Sequence, residues 1–320
     1  MRNPGVASGA WGWARSVVLG LALALVCGGC SIKRFAVNKV GDALSGGGTT
    51  FARDDDPELV RAAVPFSLKL MESLLAESPR HKGLLFATAS GFTQFAYAFV
   101  QQDADELEDR DLAAAEAMRT RARRLYLRAR DYGLRGLDVA HRGFSAALEQ
   151  RPLEAVRRAQ RRDVPLLYWT AVSWAAAISL SKDDPHRIAE IPQMEALMDR
   201  ALLLDESFDR GAIHAFLITY EMARQGGEGD PKERSRRHFE RAMELSQGRL
   251  AGPLVSLAEA VSVSEQNHVE FQALLERALA VDPDASADDR LVNLVMQRRA
   301  RWLLSKKDDL FLIPDRSGTP

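Results

Sequence analysis

This sequence has few cysteines and no excess of either charge. Its 320 residues include 2 cysteines, and 43 lysines and arginines are balanced by 44 acidic residues. A disulfide scaffold is excluded, since it needs many cysteines in a short chain. Nucleic-acid binding usually requires a broad positive field, so neither DNA nor RNA is expected as a partner.

Motifs that carry catalytic chemistry are also missing. The closest histidines in the sequence, His214 and His238, are 24 residues apart, so no two can ligate a metal from one helical turn. Neither a Gly-Lys-Ser/Thr phosphate loop nor a Gly-x-Ser-x-Gly elbow occurs. A helical lytic transglycosylase is the enzyme alternative, but Glu72-Ser73, Glu77-Ser78 and Glu206-Ser207 lack the Gly-Leu-Met-Gln stretch typical of those enzymes. We expect no enzymatic activity, metal or cofactor.

The amino terminus has the features of an export signal. Arg2 and Arg15 precede a run of small and aliphatic residues over positions 16–26. The run fits the hydrophobic region of a signal peptide and is shorter than the about 20 residues that span a bilayer. It leads to Gly28-Gly29-Cys30, and small residues before a cysteine resemble the lipobox of bacterial lipoproteins, although Cys27 occupies a position that is usually aliphatic.

We therefore predict a lipoprotein signal peptide over residues 1–29 and lipidation of Cys30, which would hold the protein in the periplasm by a membrane anchor. An ordinary signal peptide or a buried apolar helix is the alternative. Cleavage would remove two arginines and no acid, making the mature chain more acidic than the net charge of −1 in the full sequence. Ser31 is not acidic, which favours the outer membrane over the inner membrane under the usual sorting rule.

Residues 30–50 are predicted to be an acylated tether, because they contain a Ser-Gly-Gly-Gly run. A helical domain is expected over 51–312, followed by a tail over 313–320. Asp56 and Pro57 predict the first helix start, Pro65 is expected to kink or divide this helix, and Ser78-Pro79 to end it. Further helices are predicted over 81–102, 112–150, 164–180, 191–204, 208–225, 232–246, 250–264, 269–281 and 288–305.

In no stretch do apolar and polar residues alternate with period two for long enough to form a strand, so the fold is predicted to be all-α. A polar hinge is expected over 103–111, with breaks in the following helix at Gly133, Gly136 and Gly143. A weak repeat places Ala201, Ala242 and Ala278 in similar Arg-Ala contexts, with a period near that of tetratricopeptide repeats. The chain is therefore predicted to form degenerate tetratricopeptide-like helical hairpins, in an α-solenoid or bundle.

Several amino-terminal stretches are distinctive: Phe-Ala-Arg-Asp-Asp-Asp-Pro-Glu-Leu from Phe51, Val-Pro-Phe-Ser-Leu-Lys-Leu from Val64, and Gly-Phe-Thr-Gln-Phe-Ala-Tyr-Ala-Phe-Val from Gly91. Together with the lipobox, they resemble the T component family of TRAP-type transporters, the TatT lipoproteins. The resemblance implies a periplasmic homotrimer that docks the solute-binding P component and offers a hydrophobic ligand channel. The alternative is a tetratricopeptide-like scaffold lipoprotein that serves envelope or outer-membrane assembly.

Two groups of side chains are candidate binding sites. Aromatic residues predicted on two helices could line a ligand channel, and the alternative is core packing, which is what aromatics at helical spacing usually do; they are Phe92, Phe95, Tyr97, Tyr168, Trp169 and Trp174. A series of arginines over 119–142 could face an anion or the P component, with Arg123 and Arg124 as the contact candidates. Ion pairing with the acids at 103–111 and Glu116, or a solvated face, is the alternative.

Overall fold

The computed structural model describes residues 38–43, 46 and 48–312. Every regular element in these residues is a helix, which confirms the predicted all-α fold. The predicted signal peptide, Cys30, most of the tether and the tail over 313–320 lie outside the described residues.

The first helices follow the capping signals of the sequence. Helix α1 covers Gly48–Ala52 and α2 covers Pro57–Glu77. The Asp56 carboxylate accepts hydrogen bonds from the backbone N–H groups of Glu58 and Leu59, which starts α2 as predicted. Pro65 lies inside α2 but does not divide it.

Helix α3, Lys82–Ala96, runs through a π-helical turn, Tyr97–Gln101, into α4, Gln102–Leu107. The prediction of a hinge over 103–111 is therefore wrong for residues 103–107, which are helical. This continuous stretch has the length and hydropathy of a membrane span, but 67% of its most apolar window is buried by other helices. It is the central core helix of the described fold.

Helix α5, Leu112–Ala140, is not broken at Gly133 or Gly136, contrary to the prediction. Both glycines are instead points of close helix contact. A Cβ atom at Gly133 would lie 2.1 Å from Thr170 Oγ1, and one at Gly136 would lie 2.9 Å from Leu166 Cδ2. The chain does turn at Gly143, whose φ of 71° is in the left-handed region that glycine tolerates.

Most of the remaining helices lie within five residues of their predicted bounds, but three short helices, Pro152–Val156, Pro185–Ile188 and Lys307–Leu310, were not predicted. The helix that begins at Gly252 passes into a second π-helical turn, Ala258–Ser262. The helices are α6 Phe144–Gln150, α7 Pro152–Val156, α8 Val164–Ser179, α9 Pro185–Ile188, α10 Ile191–Leu204, α11 Phe208–Tyr220, α12 Pro231–Ser246, α13 Gly252–Leu257, α14 His268–Leu279, α15 Arg290–Ser305 and α16 Lys307–Leu310.

The start of α11 contains a left-handed turn that the sequence did not reveal. Asp209, Arg210 and Gly211 have φ values of 43°, 56° and 90°. Arg210 Nη2 lies 2.6 Å from Oδ1 of the buried Asp289, and Gly211 lies against Leu245, where a Cβ atom would come within 3.0 Å of the Leu245 Cβ. These contacts compensate for the backbone strain of the turn.

Long helices pack against the next long helix along the chain: α3 against α5, α5 against α8, and α11 against α12. The last long helix, α15, then packs against α1 and α2, so the array closes on itself. Ala201, Ala242 and Ala278 are at most 1% exposed, as expected for small residues at helix contacts. Their arrangement as tetratricopeptide-like hairpins stays a prediction.

Candidate functional site

The first three aromatic candidates lie along the central core helix. Phe92 is 4% exposed and stacks on Tyr132, with ring centroids 6.3 Å apart. Phe95 packs against Phe99, with centroids 5.8 Å apart, and Tyr97 lies in the π-helical turn beside the same core. These side chains fill the interior between α2, α3 and α5.

The other three candidates lie on α8 and belong to a second core. Tyr168 contacts Trp169 edge-on at 5.1 Å and Phe208 at 5.3 Å between centroids. The Trp174 Nε1–H donates a hydrogen bond of 2.7 Å to Glu190 Oε2, and the Arg130 guanidinium lies 5.1 Å from the Trp174 ring centroid. The structure therefore separates the six aromatics into two adjacent cores, which meet where α3 packs against α8.

Two surface grooves lie away from these aromatics. One has a volume of about 510 Å³ and is lined by residues including Arg161, Leu203 and His214. The other has a volume of about 430 Å³ and lies between Arg249 and Arg277. Both grooves are open to solvent, in contrast to the buried aromatic cores.

A network of ion pairs joins the amino-terminal and carboxy-terminal helices where the array closes. We call it the closing cluster, and it consists of Arg61, Asp103, Asp105, Glu106, Glu259, Arg298 and Arg299. Arg298 Nη2 lies 2.7 Å from carboxylate oxygens of both Asp103 and Glu106. Arg299 Nη1 lies 2.8 Å from Asp105 Oδ2, and its Nη2 pairs with Glu259.

Asp103 of the closing cluster stays ionised despite partial burial. Burial alone would raise the pKa of Asp103, but hydrogen bonds from Arg61 and Arg298 outweigh it and hold the pKa below its usual value. Desolvation would likewise lower the pKa of Arg299, and its pairing with Glu259 and Asp105 raises the pKa instead. Three acids of the predicted polar hinge, Asp103, Asp105 and Glu106, are therefore helical residues that pair across the closure.

The arginine series on α5 divides into paired and unpaired members. Arg119 contacts the carboxylates of Asp105, Glu108 and Glu116, so the ion-pairing alternative is confirmed for this residue. Arg123 and Arg124 form no ion pair within the described residues; Arg124 is exposed and Arg123 is half-buried.

Histidines that are distant in sequence meet between α11 and α12. The Nδ1 atoms of His214 and His238 lie 2.8 Å apart, and His214 Nε2 lies 3.3 Å from Glu206 Oε2. Sequence spacing could not reveal this pair, because the helical hairpin creates it. Among the described residues, no group of three or more metal-ligating side chains converges.

Comparisons with known proteins identify the family. The sequence profile of the TRAP transporter T-component family matches residues 53–311. An uncharacterised protein of Treponema pallidum (strain Nichols) is 30% identical over 309 residues, which covers 91% of this chain and 96% of that protein. Such T components are accessory parts of a transport system and are not known as enzymes. The chain therefore belongs to the TRAP transporter T-component family.

Proposed function

We propose that this protein is a periplasmic, lipid-anchored accessory component of a TRAP-type solute uptake system that docks the solute-binding P component. The observation that carries the proposal is the family match over residues 53–311, which includes nearly all the described helices. The direct test is co-purification of the P component of the same system with the tagged protein from solubilised membranes. Capture of envelope assembly factors in its place would support the scaffold alternative.

The docking face that we propose is the exposed side of α5 around Arg123 and Arg124. Because neighbouring arginines such as Arg119 and Arg130 are already paired with acids, these two have charge available for an acidic partner surface. Electrostatic complementarity of this kind raises association rates and is weakened by salt. Charge reversal at Arg124 that left both the affinity for the P component and its salt dependence unchanged would argue against this face.

The ligand channel that we propose runs beside the aromatic candidates where the two cores meet. Their density in adjacent cores supports an apolar route. The test is native mass spectrometry of the purified protein for a bound amphipathic molecule, together with transport by the Trp169→Ala and Trp174→Ala variants. A ligand-free protein with unchanged transport in both variants would exclude the channel.

We further propose acylation at Cys30, anchoring in the outer membrane and assembly as a homotrimer. Leu59 and Phe66 are seven residues apart on α2, one face of the helix, and are 58% and 73% exposed. This apolar stripe supports self-association. Metabolic labelling with a fatty acid tests the anchor, because Cys30→Ser should lose the label. Membrane fractionation tests the location of the anchor. Light scattering tests the trimer, because it measures the mass of the protein in solution.

A further inference from the structure

Residue Asn38 marks where the amino-terminal tether meets the helical array. The Ser78 hydroxyl donates a hydrogen bond of 2.7 Å to Asn38 Oδ1, and His81 Nε2 lies 3.2 Å from the Asn38 carbonyl oxygen. Both contacts lie at the turn between α2 and α3, and we call this end of the array the anchor end. Cys30 precedes Asn38 by eight residues, which span at most about 29 Å when extended. An acyl group on Cys30 therefore holds the anchor end close to the membrane.

Two further segments of the chain reach the anchor end. Arg135 Nη2 on α5 donates a hydrogen bond of 3.3 Å to the Pro79 carbonyl oxygen, in the turn between α2 and α3. Arg142, just after α5, lies about 10 Å from Arg135 along the direction of this helix. Arg158 Nη2 donates a hydrogen bond of 2.8 Å to the Arg142 carbonyl oxygen, which places the segment between α7 and α8 beside the end of α5.

The anchor end has an excess of positive charge, although the whole sequence has a net charge of −1. Of the four acids over residues 138–163, three accept hydrogen bonds or ion pairs from neighbouring side chains, and only the carboxylate of Glu149 has no such partner within the described residues. The cations of the anchor end that are exposed and form no ion pair within the described residues are Arg80, Lys82, Arg142, Arg157, Arg158 and Arg162.

Exposed leucines lie among these arginines. Leu153 on α7 is 70% exposed, and Arg157 follows it by one helical turn on the same side. The groove of about 510 Å³ is lined by Arg161, in the segment that follows Arg157, and by Leu203, which is 77% exposed. The anchor end therefore combines unpaired arginines with apolar side chains that no other part of the described fold covers.

This surface fits a lipid membrane better than a folded acidic protein. A protein interface has a continuous apolar core with a polar rim, whereas Leu153 and Leu203 stand singly on different helices. A membrane interface accepts single apolar side chains among arginines, because each arginine keeps its charged group at the phosphates while its alkyl part lies against the acyl chains. Anionic headgroups in addition attract every basic residue that lies near the surface.

We infer that the anchor end is a membrane-contacting surface, at which the unpaired arginines bind the phosphate groups of anionic phospholipids and Leu153 enters the headgroup region. The inference rests on the proposed acylation of Cys30 for the position of the membrane. It goes beyond that proposal, because a second attachment fixes the orientation of the array. In this orientation the carboxy-terminal end of α5 faces the membrane, and Arg124 on the proposed docking face lies further from it.

The test is binding to lipid vesicles in the absence of an acyl chain. The mature chain, carrying Cys30→Ser, is sedimented with vesicles of phosphatidylcholine alone or with about 30% phosphatidylglycerol. The wild-type surface is expected to bind the anionic vesicles at least about tenfold more tightly, and salt is expected to weaken this binding. The double variant Arg142→Glu/Arg157→Glu is expected to lose at least about tenfold in affinity for the anionic vesicles, because both arginines are exposed and unpaired within the described residues.

The matched control reverses two arginines at the opposite end of α5. Arg110 precedes this helix of 29 residues, which separates it from the anchor end by about 44 Å. Arg301 lies on α15, near Lys306, which pairs with Asp109. Both arginines are exposed and form no ion pair within the described part of the chain. Arg110→Glu/Arg301→Glu changes the net charge equally and is expected to keep the affinity within about threefold, because salt screens distant charges.

Leu153→Ser separates apolar insertion from charge attraction. Its affinity for the anionic vesicles is expected to fall by about threefold to fivefold, because one apolar side chain no longer enters the headgroup region. The salt dependence is expected to stay as in wild type. Unchanged affinity in Leu153→Ser would overturn the insertion of this leucine, and circular dichroism verifies that all the variants are folded.

Failure of the inference is distinguishable from failure of the proposed function. Equal binding to neutral and anionic vesicles overturns the membrane-contacting surface, and so does an equal loss of affinity in the two double variants. Absence of vesicle binding, with capture of the P component lost in Arg142→Glu/Arg157→Glu, would make the anchor end a protein-docking face instead. Fatty-acid labelling of Cys30 tests the anchor separately. A labelled protein whose unacylated form does not bind vesicles refutes the inference and keeps the anchor, whereas vesicle binding by an unlabelled protein does the reverse.

Discussion

At the scale of single residues, the two glycines in the middle of α5 determine how closely this helix approaches α8. Gly133 and Gly136 are both buried and face Thr170 and Leu166 of α8. The sequence alone suggested breaks, because glycine is a poor helix former. The partner helix that explains these glycines lies more than 20 residues further along the chain and is visible only after packing.

Gly133→Ala is expected to destabilise the protein by about 1–3 kcal/mol, since the added Cβ would lie 2.1 Å from Thr170 Oγ1. Urea unfolding followed by circular dichroism measures the change. Gly46→Ala is the control, because a Cβ there meets nothing within 4 Å. Equal stability of Gly133→Ala and wild type would contradict the close packing of α5 on α8.

The pair formed by His214, which is buried, and His238, which is half-buried, makes stability depend on pH. Burial is the largest cause that lowers the pKa of both His214 and His238, the latter to about 4. In the unfolded chain both histidines have a pKa of about 6.5. Between this pH and about 4, the unfolded state therefore binds more protons than the folded state. Stability is therefore expected to fall as pH drops from about 6.5 towards 4. Charged neighbours of the pair are Glu206, Glu221, Arg224, Arg237 and Arg241.

In His238→Gln, the unfolding free energy lost between about pH 6.5 and pH 4 is expected to be smaller by on the order of 1 kcal/mol, after allowance for solvent screening. Urea unfolding at a series of pH values measures it. The control is His186→Gln on α9, which is exposed and lies outside the pair. A slope that is the same in wild type and His238→Gln would show that the pair does not carry the dependence.

At the scale of helices, the closing cluster connects parts of the chain that are far apart in sequence. Asp105 on α4 and Arg299 on α15 are separated by 194 residues. The helix bounds could be predicted from local signals such as the Asp56 cap. The helical state of residues 103–107 could not, because the arginines that pair with these acids on α15 are revealed only by the tertiary fold.

The candidate sites show the same division between local and tertiary information. Aromatic spacing indicated buried faces for Phe92 and Trp174, and both are 4–5% exposed. Sequence alone could not show that they belong to two cores.

Arg299→Met is expected to lower the free energy of unfolding by about 3 kcal/mol, because it leaves Glu259 without its cation and Asp105 with Arg119 alone. Arg241→Met is the control: its pairs with Glu206 and Glu244 lie at the surface, so no measurable change is expected. Urea unfolding of both variants provides the comparison. Similar small losses would mean that the closing cluster contributes no more than surface pairs.

At the scale of the whole molecule, closure of the helical array leaves two exposed surfaces of different chemistry. The apolar stripe of α2 carries Leu59 and Phe66, whereas the charged side of α5 carries Arg123 and Arg124. Under the proposed function, the first surface serves self-association and the second serves docking of the P component.

The affinity of the mature protein for the P component, measured by calorimetry at two salt concentrations, tests the central claim most directly. The account predicts a salt-sensitive complex that Arg124→Glu weakens about tenfold. Arg237→Glu is the matched control, because Arg237 is an exposed arginine on α12 without an ion pair within the described residues, and it should leave the affinity unchanged. Absence of any complex between the wild-type protein and the P component would contradict the account.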